Sequence, residues 1–141
     1  MKRIIRCILY LWQLPQHIAG LSLLFFCMMT GVSVRRDRGV YVLDRFIAGG
    51  VSLGEYVFVL VSDDTEFTRR HELGHCVQSK ILGPLYLLVV GIPSAILCLA
   101  AKRSRRVSSN YYHYFPENWA NRISGLPGCE DSRSKSDQPY V

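Results

Sequence analysis

Apolar and polar positions divide this chain into blocks that call for different elements. Residues 4–14 (IIRCILYLWQL) and 18–30 (IAGLSLLFFCMMT) are apolar almost all round. Pro15 between them ends or kinks a helix. Together they are long enough to cross a bilayer at ~1.5 Å per residue. Gln13, Pro15, Gln16 and His17 lie at the centre, so the pattern predicts a broken span or two short helices at an angle. The plainer alternative is a helical pair packed on the protein's own core. The basic start resembles a secretory signal, but the polar centre and the lack of an A-x-A site favour a retained segment.

The next block is rich in Val, Tyr, Phe and Gly. Residues 40–43 (VYVL) and 56–61 (YVFVLV) have the β-branched and aromatic content that strands prefer. Gly39, Gly49, Gly50 and Gly54 punctuate them, which predicts a small antiparallel sheet or hairpin. The strand at 56–61 is a candidate edge for an extended peptide, against the alternative of an ordinary core strand. From Asp64 or Thr65 as cap, the spacing predicts a helix through Leu82, stopped by Gly83-Pro84. Residues 85–101 carry no charge. A last short helix is expected from Pro116 to about Ser124, with Gly125 as its stop.

The fold class expected is therefore α+β. Apolar amino-terminal helices (1–34) precede a domain at 35–125, and residues 126–141 form a polar, disordered tail. Composition bears on location: 49% of residues are hydrophobic and mean hydropathy is +0.12, which points to membrane contact. Lys+Arg number 17 against 11 acidic residues. Lys2, Arg3 and Arg6 precede one apolar segment, and Lys102, Arg103, Arg105 and Arg106 follow another, which favours lipid headgroups as partner. Nothing resembles an RNA-binding signature or zinc-finger spacing, so no nucleic acid is expected. Five cysteines without a CxxC pair do not make a disulfide framework.

The chemistry lies in His71, Glu72 and His75, an HExxH motif. Residues four apart share a helix face, so both imidazoles reach one ion, and Zn2+ takes such nitrogens at ~2.0–2.1 Å. Glu72 stands beside them as the catalytic general base. Chance alone produces HExxH in on the order of one in a few hundred chains of this length. Catalytic zinc takes a third protein ligand, for which His113 and Glu117 are the candidates. Glu117 is better placed, in the first turn of the last helix, although an acidic residue also suits a helix start without any metal. His113, Tyr111, Tyr112 or Tyr114 are candidates to donate to an oxyanion, against the alternative of an interfacial aromatic belt. Gln78 and Ser79 extend the zinc helix and face either the sheet or the groups around the ligands.

HELGH followed by a helical E-x-x-A-N resembles the gluzincin zinc metallopeptidases, especially minimal ones and the membrane-bound CAAX-protease-like branch. The stretch from His75 to Asn121 is also similar to small bacterial membrane proteins of unassigned function. The gluzincin resemblance implies that Glu117 is the third zinc ligand. It also implies that Asn121, in place of an aspartate, orients a ligand. An amide accepts a hydrogen bond from imidazole but supplies no charge.

A Glu117 ligand constrains the topology. If 81–101 crossed a bilayer once, Glu117 and the histidines would lie on opposite sides. Gly83-Pro84 and Gly91-Ile92-Pro93 break the segment, so an apolar helical hairpin at 81–101, turning at 91–93, is expected to dip and return. A Pro-kinked single span is the rival. The expected function is a membrane-associated zinc metallopeptidase acting on a peptide or protein substrate, at a bacterial inner membrane. The alternatives are a non-catalytic membrane protein keeping the metal site, and a zinc hydrolase of a non-peptide acyl substrate.

Overall fold

The computed structural model describes residues 2–45 and 49–126. Helices α1 (Lys2–Trp12) and α2 (Leu14–Met29) open the chain. Pro15 lies in the first turn of α2, where a missing N–H costs nothing. Four strands follow: β1 (Val34–Asp37), β2 (Val40–Leu43), β3 (Gly50–Leu53) and β4 (Tyr56–Leu60). Then come α3 (Glu66–Leu82), a π-helical turn Leu87–Gly91, α4 (Ile92–Arg103), α5 (Arg105–Ser109) and α6 (Glu117–Ile123).

The fold is α+β, but the sheet is mixed rather than antiparallel. Its order is β1-β2-β4-β3, and β2 pairs with β4 in parallel, Val40 opposite Val57. The reason lies in the side chains. VYVL and YVFVL are continuous apolar runs, buried on both faces, and that is the character of parallel central strands. Phe58 and Leu43 pack with Cys27 of α2 on one face, and Val57, Val59 and Val40 pack with Cys76 of α3 on the other. The sheet is thus the middle of three layers. With β4 central, residues 56–61 present no edge; the edge beside α3 belongs to β3 instead. The β1–β2 hairpin turns on Arg38 and Gly39, both at positive φ, as right-twisted hairpins prefer.

Helix α3 begins and ends where the sequence signals place it. Thr65 Oγ1 accepts from Thr68 N at 3.1 Å, and Gly83 adopts φ +53° with its N–H on Ser79 O. Asp64 accepts from Nε and Nη2 of Arg69, in the first turns of α3, along one guanidinium edge (2.5 and 2.8 Å), and Asp37 of β1 accepts from the same Nη2 at 2.7 Å. These bonds hold the Asp64 carboxyl below its usual range.

The turn expected at 91–93 does not form. Gly91 and Ile92 are both right-handed helical, so the π-turn runs directly into α4, and Pro93 sits harmlessly in its first turn. The chain changes direction at Ser104, which is extended (φ −132°, ψ 117°), and α5 packs back on α4. The arm therefore leaves and returns, as contact between Ser94 and Glu117 requires, but its corner lies ten residues later than Ser94. No described helix is long and apolar enough to cross a membrane. Residues 4–30 are divided between α1 and α2, and 81–101 is divided by a 3-10 turn at Gly83–Leu85 and the π-turn. The tail at 126–141 lies outside the described residues except for Leu126, which is buried.

Candidate metal centre

Helix α6 lies along α3, and the contact is close because Gly74 has no side chain. A Cβ at Gly74 would collide with Ala120 O and Ser124 Oγ. Gly74 thus serves the packing of α6 on α3. This packing carries Glu117 and Asn121 to the face that bears His71 and His75, and all four are buried.

His71, His75 and Glu117 form a buried group that could hold a metal ion, their ligand atoms within 4.8 Å of one another. Glu117 Oε2 is 2.8 Å from His71 Nε2 and 3.3 Å from His75 Nε2, and the two Nε2 atoms are 3.2 Å apart. Atoms bound at ~2.0–2.1 Å around a tetrahedral ion stand about 3.3–3.4 Å apart, so the spacing fits. The outer atoms fit as well. His71 Nδ1 is 2.7 Å from Asn121 Oδ1, and His75 Nδ1 is 2.7 Å from Gln78 Oε1. An amide oxygen only accepts, so each Nδ1 carries the proton and donates it. Each Nε2 therefore turns a lone pair towards the carboxylate. Three lone-pair donors facing one point demand a cation, whether a proton or a metal.

That demand appears in the titration directions. Burial alone would raise the Glu117 carboxyl, but hydrogen bonds from His71 and His75 outweigh it and hold it far below the carboxylate range. Burial would lower His75, but the Glu117 hydrogen bond and the nearby carboxylates raise it.

Other side chains complete the arrangement. Ser94 Oγ donates to Glu117 Oε1 at 2.5 Å, and Gln78 Nε2 donates to Pro116 O at 3.1 Å, tying the start of α6 to α3. Glu72 lies under β3. Ser52 Oγ shares its one proton between Glu72 Oε2 (2.7 Å) and Glu72 O (2.8 Å), while Tyr86 Oη donates to Ser52 O at 2.9 Å. A Cβ on Gly50 would strike Glu72 Oε1, so the bare glycine makes room for the carboxylate. Burial pushes the Glu72 carboxyl up, against the pull of His75 and His71. Tyr112 sets its ring edge-on to His71 at 5.2 Å, beside Phe67.

Of the expected residues, His71, Glu72, His75, Glu117 and Asn121 come together, joined by Gln78. His113 lies exposed in a short 3-10 turn and is not one of the three ligand residues. Ser79 points elsewhere, donating to Gln13 at 2.8 Å and receiving from Gln16. Sequence reasoning missed Ser52, Ser94 and Gly50. Ser94 had a visible signal, a lone serine in the uncharged run 85–101; Ser52 sits among glycines and has none. A groove of ≈ 420 Å³ lies on the opposite face of α3, lined by Glu66, Arg69 and Lys80, and holds none of the ligand residues. No protein-family model, curated protein or solved structure matches this chain.

Proposed function

We propose that this protein is a zinc-dependent metallopeptidase, with His71, His75 and Glu117 as the zinc ligands and Glu72 as the proton carrier. The convergence of His71 Nε2, His75 Nε2 and Glu117 Oε2 beside a buried carboxylate supports this reading most strongly. A His2Glu donor set is one that catalytic zinc uses, and it leaves room for water or substrate. When bound, such an ion supplies Lewis acidity, making water a nucleophile near neutral pH and polarising a carbonyl.

The chain's own groups have separate tasks. Asn121 and Gln78 hold the imidazoles in one tautomer and orientation, and Ser94 fixes the carboxylate oxygen that faces away from the histidines. Glu72 takes a proton from the attacking water and returns it to the leaving nitrogen. Ser52 restrains Oε2, which leaves Oε1 to receive that proton. Burial of the whole set excludes bulk water from competing hydrogen bonds. A purely structural zinc site has no need of a restrained carboxylate in this place, which favours an enzyme over a non-catalytic frame.

The test combines metal analysis with proteolysis. Wild type should bind one zinc per chain, and His75→Ala and Glu117→Ala should lose it. Glu72→Gln should keep zinc and lose cleavage of a peptide library by at least a hundredfold, the scale of general acid–base catalysis. Full zinc in Glu117→Ala would remove the ligand assignment, and full cleavage by Glu72→Gln would remove the mechanism.

A further inference from the structure

The apolar surface of this protein is arranged in a way the metal centre does not explain. None of the 11 acidic residues lies in segments 1–36 or 73–116. Yet all the large apolar side chains that stand exposed among the described residues, except Val61, fall in those two segments. They follow helical spacing. Ile4, Ile8 and Leu11 line α1, and Leu14, Ile18, Leu21 and Phe25 continue along α2. Leu73, Val77 and Ile81 line α3, and Leu85, Leu88, Ile92 and Ile96 continue along the π-turn and α4. Several are more than half exposed, such as Leu11 at 70%, Phe25 at 63% and Ile96 at 61%. The two arms meet where Trp12 Nε1 donates to Lys80 O at 3.2 Å and the indole lies against Gly83. At the far end of each arm stand exposed cations, Arg3 and Arg6 on one, and Lys102, Arg103, Arg105 and Arg106 on the other.

Soluble proteins seldom leave so many large apolar side chains exposed along successive helices without an occupant. The charges select which occupant. A second copy of the chain would bring cationic ends towards cationic ends, with no acid in either segment to pair them. An anionic lipid surface supplies apolar depth for the stripes and negative headgroups for the arginines. We propose that these two acid-free arms dock into an anionic lipid membrane, the apolar stripes in the acyl layer and the basic ends among the headgroups, with no helix crossing. Docking in this way takes the place of the spanning and re-entrant arrangements. It stands independently of the metal reading, because neither arm's outward face contains a ligand.

Flotation of the full chain with unilamellar vesicles tests this, using phosphatidylcholine alone or mixed with phosphatidylglycerol. Trp119→Phe leaves Trp12 as the single indole reporter. The chain should float with the mixed vesicles, and acyl chains carrying bromine should quench Trp12. Phe25→Glu with Ile96→Glu should weaken partition at least tenfold. Arg103→Gln with Arg106→Gln should weaken it about fivefold per arginine and flatten its salt dependence. These four side chains are exposed, so thermal melting should show the fold retained. If the glutamate variant fails to melt cooperatively, quenching of Trp12 in the Trp119→Phe chain decides alone. A wild-type chain that stays behind would overturn the proposal, as would binding that the stripe variant leaves unchanged. So would a concentration-dependent dimer, abolished by the stripe variant, in place of lipid binding. Running His75→Ala in parallel separates the two readings, since lipid binding should persist in it after zinc is lost.

Discussion

Asn121 and Gln78 show what single residues contribute at this centre. Each presents an amide oxygen at 2.7 Å to an imidazole Nδ1. Neither carries charge, so they orient the ligands without adding to the negative charge of Glu117. Asn121→Leu removes the acceptor from His71 and leaves a buried N–H unpaired. Zinc affinity should fall 10–100-fold, read by competition with a chromophoric chelator. Asn121→Asp should retain it, and equal affinity in Asn121→Leu would show that packing alone orients His71. The motif residues were legible in the sequence because spacing on a helix specifies a face, and Asn121 was legible only through the gluzincin resemblance. Ser52 was not, because nothing local says that a serine in an edge strand will lie on a glutamate twenty residues away.

At the scale of elements, the centre exists because α6 approaches α3 over Gly74. Alanine at this helix-interior site raises helix propensity by up to ~1 kcal/mol. The Cβ would nevertheless meet the Ala120 carbonyl, which is backbone and does not yield. Gly74→Ala should therefore destabilise by about 1–3 kcal/mol in urea unfolding, and it should weaken zinc binding by moving Glu117. A stabilised variant with unchanged zinc affinity would refute this account of the packing. The start of α3 offers a second test. Arg69 depresses the Asp64 pKa in the folded state, so the stability this bond supplies is present above the ordinary carboxylate range and is lost as pH falls from there through the depressed folded-state value. Asp64→Asn should cost about 2 kcal/mol at pH 7, and the gap to wild type should begin to narrow below about pH 4 and shrink steadily with further acid. A gap that stays constant on acidification below that point would assign the cost to packing. The caps of α3 were legible locally, in Thr65 and Gly83-Pro84. The corner of the carboxy-terminal arm was not: Gly91 and Pro93 are both compatible with a continuing helix, and a proline in the first turn of a helix breaks nothing.

For the whole molecule, the metal would join elements distant in sequence, α3 and α6, across the apolar arm. Anything that binds only the folded state stabilises it, by ~2.7 kcal/mol when the ligand stands at a hundred times its Kd. Adding a chelator should lower the thermal midpoint of wild type by several degrees and leave that of His75→Ala unchanged. Equal sensitivity of both proteins would point to a metal held elsewhere. The three layers, with α2 and α3 on opposite faces of a four-stranded sheet, bury the strands on both sides. The two helices touch each other through Gln16 and Ser79, and the apolar side chains that their arms leave exposed are the surface assigned to lipid.

The amino-acid sequence by itself determined the α+β class, the helix that carries His71, Glu72 and His75, its cap and stop, and the short helix that offers Glu117. Those features rest on spacing, capping chemistry and local backbone preference, which act over a few residues. Tertiary structure decided the rest. It made β2 and β4 parallel neighbours, because two strands apolar on both faces take the centre of the sheet. It moved the free edge to β3, set Ser52 and Gly50 around Glu72, and left His113 at the surface. It also placed the corner of the arm at Ser104, where Ser94 could reach Glu117. Such outcomes depend on which buried faces fit together at long range, and no local pattern carries that information.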